Sequence, residues 1–127
     1  MSEFNILVAD DDPGIRHFLR RGLQLEGYDV MEADSGTAAV KMAGDSHPSL
    51  VILDWMMPGL DGPETLRQIR AAGATMPIIF LTGRGGSSAD GLALGADAYF
   101  EKPVLFAQLV DRLHSLLPPT SLTPKTI

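Results

Sequence analysis

The sequence predicts a single three-layer α/β domain, a five-stranded parallel sheet doubly wound by helices. Three observations carry this. Five short apolar segments, at 6–9, 30–33, 50–53, 77–81 and 98–100, recur at intervals of about twenty to twenty-seven residues. Two of them contain the continuous apolar runs LVIL and IIFL, as do strands covered on both faces of a parallel sheet. The stretches between them carry helix caps and helical periodicity, and strands that alternate with helices need right-handed crossovers over both faces of the sheet.

Each element has its own justification. Strand β1, ILVA at 6–9, runs into Asp10-Asp11-Asp12. Asp12-Pro13 reads as an N-cap with proline at the first helical position, so α1 starts there, with Ile15, Phe18, Leu19 and Leu23 on one face until Gly27 ends it. Strand β2 at 30–33 closes on Glu32-Ala33, followed by Asp34. Helix α2 starts at Ser35 and carries Ala39, Val40 and Ala43 inward. Strand β3 at 50–53 is followed directly by Asp54, and α3 begins at Gly62-Pro63, with Leu66 and Ile69 as core contacts and a stop near Gly73. Strand β4 at 77–81 precedes Thr82. Helix α4 falls on GRGGSSADGLALG at 83–95, with five glycines in thirteen residues. An interior glycine costs a helix about 1 kcal/mol against alanine, so α4 is expected to be short or mobile. Strand β5 at 98–100 leads to Lys102-Pro103, and Phe106, Leu109, Val110, Leu113 and Leu117 then mark the apolar face of α5. The domain is expected over 1–117. PPTSLTPKTI at 118–127 has no periodicity and reads as a tail or the start of a linker.

Composition narrows the function. The 127 residues suit one core, and 45% hydrophobic with 20% charged residues is far from the signature of disorder. A net charge of -6 repels a phosphate backbone, so direct nucleic-acid binding is not expected. No apolar run approaches the ~20 residues of a membrane span, and MSEFNILVADDD is acidic where a signal peptide is basic. The expected setting is therefore cytoplasmic and away from membranes. The absence of cysteine excludes disulfides, thiolate metal sites and cysteine nucleophiles. His17, His47 and His114 have no metal-ligand spacing and are given no role.

The chemistry gathers at the strand ends. In doubly wound sheets, ligands bind outside the carboxyl ends of the strands where strand order reverses. Asp10 and Asp11 follow β1, Asp54 follows β3, Thr82 follows β4 and Lys102 follows β5. Three carboxylates, a hydroxyl and an ammonium thus share one rim. Two carboxylates about 4 Å apart repel by roughly 4 kcal/mol at an effective dielectric near 20, so this cluster calls for a cation. Asp12 reads as a cap and not a ligand.

These residues, with DWMMPGLDG at 54–62, LTG at 81–83 and GADAYFEKP at 95–103, make the chain resemble the receiver domain of bacterial two-component response regulators over residues 4–117. The resemblance implies a flavodoxin-like fold and assigns the roles that follow. Asp54 is the phosphoacceptor. Mg²⁺ is held directly by Asp11, Asp54 and the backbone carbonyl of Met56, and through water by Asp10. Thr82 and Lys102 grip the phosphoryl oxygens, Tyr99 swings inward with Thr82, and the Lys102-Pro103 bond is cis. The domain catalyses its own phosphorylation and dephosphorylation without being an enzyme of turnover. Its implied partners are a sensor histidine kinase or phosphotransfer protein, an output domain or partner protein, and a second copy through the α4-β5-α5 face. Met56 and Arg84 stand where receivers tune phosphoryl lifetime, and Val104 departs from the aromatic common after Lys-Pro.

Two other classes compete. One is an Mg²⁺-dependent phosphohydrolase of the haloacid-dehalogenase type, but its aspartate nucleophile follows the first strand in a DxD pattern. The other is a flavodoxin-like cofactor binder, disfavoured because rim carboxylates repel a phosphate. Met31, Met56 and Met57 read as packing residues, and Arg67, Arg70 and Glu101 as solvated charges.

Overall fold

The computed structural model describes residues 4–83 and 95–117. Strands β1 (Asn5–Ala9), β2 (Asp29–Ala33), β3 (Leu50–Asp54), β4 (Ile78–Thr82) and β5 (Ala98–Glu101) form one parallel sheet in the order β2-β1-β3-β4-β5. The order reverses between β1 and β3, and the carboxyl ends of all five strands lie along one rim. Helices α1 (Pro13–Leu25), α2 (Gly36–Ser46), α3 (Gly62–Ala71) and α5 (Phe106–Leu116) cover the faces. The span expected for α4, with Arg84 and all but its end glycines, lies outside the described residues, as does 118–127.

Strand parity divides the core in two. Ile6, Val8, Ile52, Ile79 and Leu81 pack with Leu19 and Leu23 of α1 and Leu109 and Leu113 of α5. On the other face Leu7, Val51, Leu53, Ile78 and Phe80 pack with Ala39 and Ala43 of α2 and Leu66 and Ile69 of α3. Strands β3 and β4 are buried along their whole length, the condition their continuous apolar runs predict.

The caps are local and match the sequence. Asp12 accepts from the Gly14 amide at 2.8 Å, which makes it the cap that Asp12-Pro13 predicts, and Ser35 accepts from the Ala38 amide at 3.1 Å. Asp61, in the β3–α3 loop, caps α3 through the Glu64 amide at 2.9 Å.

The structure departs from the sequence pattern at three side chains. Phe18 is 52% exposed, because Phe106 fills the space above Gly22, where a Cβ would lie 2.5 Å from its ring. Phe18 is left on the outer side, edge-on to Phe106 at 5.8 Å. Met56 is exposed and not a packing residue, whereas Met57 is buried. Arg70 is not merely solvated: it donates to the carbonyls of Met76 at 2.7 Å, Ala74 at 3.2 Å and Gly95 at 3.4 Å, and it lies 3.6 Å from Asp97. It thereby ties the end of α3 to the turns that enter β4 and β5. Asp54 and Thr82 are the last residues of their strands, and Pro77 stands just outside β4.

Candidate functional site

The rim at the β1–β3 reversal carries the acidic cluster. Asp10 follows the last β1–β3 rung, Ala9↔Leu53, and Asp54 ends β3 opposite Leu81. Asp10 and Asp54 are buried and Asp11 is exposed; each brings an oxygen to within 4.8 Å of the others. Lys102 enters from the end of β5, where its amide donates to the Thr82 carbonyl at 2.7 Å. Its ammonium bridges Asp10 Oδ2 at 3.0 Å and Asp54 Oδ1 at 3.1 Å. The Lys102-Pro103 bond is cis, as expected.

The loop after β3 explains why Trp-Met-Met-Pro-Gly separates Asp54 from α3. The Trp55 amide donates to the Leu81 carbonyl at 2.8 Å, and the Gly62 amide returns to the Trp55 carbonyl at 2.9 Å. A turn at Gly59, with φ +77°, permits the return. Gly62 then rests against the backbone, since a Cβ there would meet the Asp54 carbonyl at 2.5 Å. The Met56 amide donates to Asp54 Oδ1 at 3.4 Å. Trp55 lies edge-on to Phe80 at 4.8 Å.

Electrostatics follow from burial. Burial first, and the Asp10 charge second, push the Asp54 carboxyl up to about 6, while the hydrogen bond and charge of Lys102 and the Met56 amide pull the other way. For Lys102, burial acts to lower the pKa, but the hydrogen bonds and charges of Asp10 and then Asp54 outweigh it, so the net shift is upward. The ammonium keeps its proton. Among the described residues one ammonium faces the three carboxylates, which leaves the cluster negative, and its all-oxygen donors suit a small hard divalent ion. The residues present therefore fit the metal that the sequence implies.

The structure brings Asp10, Asp11, Asp54 and Lys102 together. Thr82 is fully buried beside them, but its hydroxyl donates to the Gly83 carbonyl at 3.0 Å. Tyr99 stands opposite Phe80 in the β4–β5 register, so Tyr99, Phe80 and Thr82 share a sheet face. Its ring is half-buried against the α2–α3 side of the core. Sequence reasoning missed Arg16, whose guanidinium donates to the Asp10 carbonyl at 2.8 Å and to Glu32 at 3.0 Å. A signal existed: a cation close behind the N-cap opposes the helix dipole and needs a partner.

Comparison with known proteins gives one answer. The model of a family described as the response regulator receiver domain matches residues 6–114. "Response regulator MprA" of Mycobacterium sp. (strain KMS) is 44% identical over 118 residues, covering 91% of this chain and 51% of that protein. The protein of the same name from Mycobacterium avium (strain 104) is 44% identical over 114 residues, 88% of this chain and 50% of its own length. The chain thus spans about half the length of the curated relatives it matches. Among solved structures, the receiver domain of Francisella response regulator 1452 superposes with a TM-score of 0.84 at 31% identity, covering 90% of this chain and 96% of that one. A response regulator receiver domain protein from Clostridium thermocellum gives 0.85 at 30%, covering 89% and 93%. The phosphohydrolase alternative finds no support in these matches. Among the described residues no helix is long and apolar enough to cross a membrane.

Proposed function

The chain belongs to the response regulator receiver domain family, a signalling switch of two-component systems, and on that premise we propose how its rim residues share the work. Asp54 is the phosphoacceptor. One of its oxygens attacks phosphorus, the new P–O bond forms as the P–N bond of a donor phosphohistidine breaks, and the bonding pair leaves with the imidazole. Small-molecule turnover is not its purpose; the chain promotes its own phosphorylation and dephosphorylation.

The single observation that carries this reading is the buried pair Asp10 and Asp54 bridged by Lys102, with Asp11 adjoining. Asp11, Asp54 and the Met56 carbonyl would hold Mg²⁺ directly, with Asp10 acting through water. The ion, when bound, supplies positive charge against the phosphoryl oxygens. Lys102 carries its charge on a flexible stem, so its ammonium turns from the Asp54 carboxylate to the phosphoryl group once Asp54 has become an acyl phosphate. Thr82 leaves the Gly83 carbonyl to donate to a phosphoryl oxygen, and Tyr99, on the same sheet face, follows it inward. The change then reaches the α4-β5-α5 face, which pairs with a second copy, an output domain or a partner protein.

The receiver proper is assigned to 1–117 and 118–127 to a tail or linker. Phosphoryl groups come from a sensor histidine kinase or a phosphotransfer protein, and the setting is the cytoplasm. Incubation with acetyl phosphate and Mg²⁺, read by intact mass, tests the core of the proposal: a single phosphoryl adduct absent from Asp54→Asn is expected. Multiple turnover of a phosphate ester, or an adduct that persists in Asp54→Asn, would sink it. Beryllofluoride with Mg²⁺ provides the stable mimic for testing pairing.

A further inference from the structure

We propose that Arg16, oriented by Glu32, is a positioning residue that fixes how Asp10 and Asp11 present their carboxylates to the divalent cation. The inference rests on the phosphoacceptor reading above. The Asp10 carbonyl lies one residue past the last β1–β3 rung, Ala9↔Leu53, in a residue only 1% exposed. A buried carbonyl without a donor is costly, and Arg16 Nη1 supplies the donor at 2.8 Å. Nε of the same guanidinium donates to Glu32 Oε1 at 3.0 Å, and the second Glu32 oxygen accepts from Arg20 at 3.1 Å. A planar fork held at two points has little freedom to rotate.

Asp10 is thereby held at every polar atom. Its amide donates to the Ala33 carbonyl at 3.1 Å and its carbonyl accepts from Arg16. Oδ1 accepts from the Asp12 amide at 2.9 Å and Oδ2 from Lys102 at 3.0 Å. Asp11 differs. It is exposed, and among the described residues no group donates to its carboxylate. Its place is set by the backbone, beginning with the planar peptide that joins it to Asp10. The Asp10 carbonyl is one edge of that plane, so the hand on that carbonyl steers Asp11. The dipole of α1 disfavours a cation this near its start, and the pairing with Glu32 on the neighbouring strand offsets that cost.

The test is a Mg²⁺ titration followed by Trp55 fluorescence, with acetyl phosphate rates and melts in EDTA, on wild type, Arg16→Gln, Arg16→Lys and Glu32→Gln. Arg16→Gln is expected to weaken Mg²⁺ binding by about tenfold or more, the usual effect of removing a group that orients a metal ligand. Glu32→Gln shifts it in the same direction by a smaller factor. Arg16→Lys keeps the charge but loses the fork, and it should stay within about twofold of Arg16→Gln. At saturating Mg²⁺ the phosphorylation rate of Arg16→Gln should return to near the wild-type value, because Arg16 does not reach Asp54. Unchanged Mg²⁺ affinity in Arg16→Gln overturns the inference whatever happens to its melting temperature, and so does full recovery in Arg16→Lys. Should Arg16→Gln not fold, Arg16→Lys and Glu32→Gln decide in its place: weakened binding in both supports the inference, and wild-type affinity in both overturns it. A wild type that neither responds to Mg²⁺ nor takes up a phosphoryl group would instead bring down the phosphoacceptor reading, and this inference with it.

Discussion

Asp54 shows what it costs to keep an ionisable carboxyl at the end of a core strand. Burial and Asp10 hold its carboxyl up at about 6, whereas the unfolded chain releases the proton near pH 4. Between those values the folded chain binds a proton that the unfolded chain has lost. Its contribution to stability therefore falls as pH rises through about 4 to 6 and is level above that. With EDTA present, the stability difference between Asp54→Asn and wild type isolates this group: it should grow across pH 4–6 and reach about 2 kcal/mol in favour of the variant at pH 7.5. Urea unfolding at closely spaced pH values checks it, and equal stabilities at pH 7.5 contradict the account. Lys102 gives the opposite sign. In Lys102→Met, Asp10 and Asp54 face each other without their bridging ammonium, at an expected cost of about 3 kcal/mol at pH 7.5. The loss should shrink at pH 5, where Asp54 takes up a proton. A loss that does not change with pH would mean that the lysine stem, not its charge, matters.

Glycines separate what an element needs for itself from what its neighbours need. Gly62 starts α3 and lies against the Asp54–Trp55 backbone, so a methyl group there must displace either the helix or the peptide that follows Asp54. Gly62→Ala is expected to cost about 1–3 kcal/mol and to slow acetyl phosphate uptake. Gly44, in α2 with open space around its Cα, should respond the other way, Gly44→Ala adding roughly 0.5–1 kcal/mol from helix propensity. Thermal melts of the pair decide it, and two changes of the same sign would refute the distinction. The same line divides what the sequence reveals from what it hides. Caps at Asp12 and Ser35, the strand runs and the α5 face are legible because they depend on neighbours within a turn or on period alone. Phe18 is not, because its displacement comes from Phe106, far along the chain. Nor is Arg70, whose acceptors are backbone carbonyls of other elements that no side-chain pattern announces.

The parallel topology makes the site a property of the whole molecule: with every strand running the same way, residues that end strands in sequence must share a rim in space. That is why Asp10, Asp11, Asp54, Thr82 and Lys102 can be grouped from the sequence. Arg16–Glu32 cannot, because it depends on β2 lying beside β1, and hydropathy carries no sheet order. Gathering these charges also makes folding itself sensitive to cations. Asp54, far from Asp10 and Asp11 and hydrated in the unfolded chain, is pressed against them when the sheet closes, with the Lys102 ammonium between. A divalent ion that recognises the cluster binds the folded state alone and stabilises it by RT ln(1 + [L]/Kd), about 1.4 kcal/mol at ten times Kd. For a domain of this size that is a rise of roughly 3–6 °C in Tm. NaCl at matched ionic strength screens exposed charges without filling the cluster and should give much less. If Asp54 is a ligand as proposed, it must give up its proton to bind, and the Mg²⁺ effect should fade as pH drops below about 6. Asp11→Asn, which removes an exposed carboxylate without disturbing the buried pair, should lose most of it at pH 7.5. A rise in Tm that NaCl reproduces, or that Asp11→Asn keeps in full, would mean that the stabilisation arises from the chain's general acidity and not from the rim.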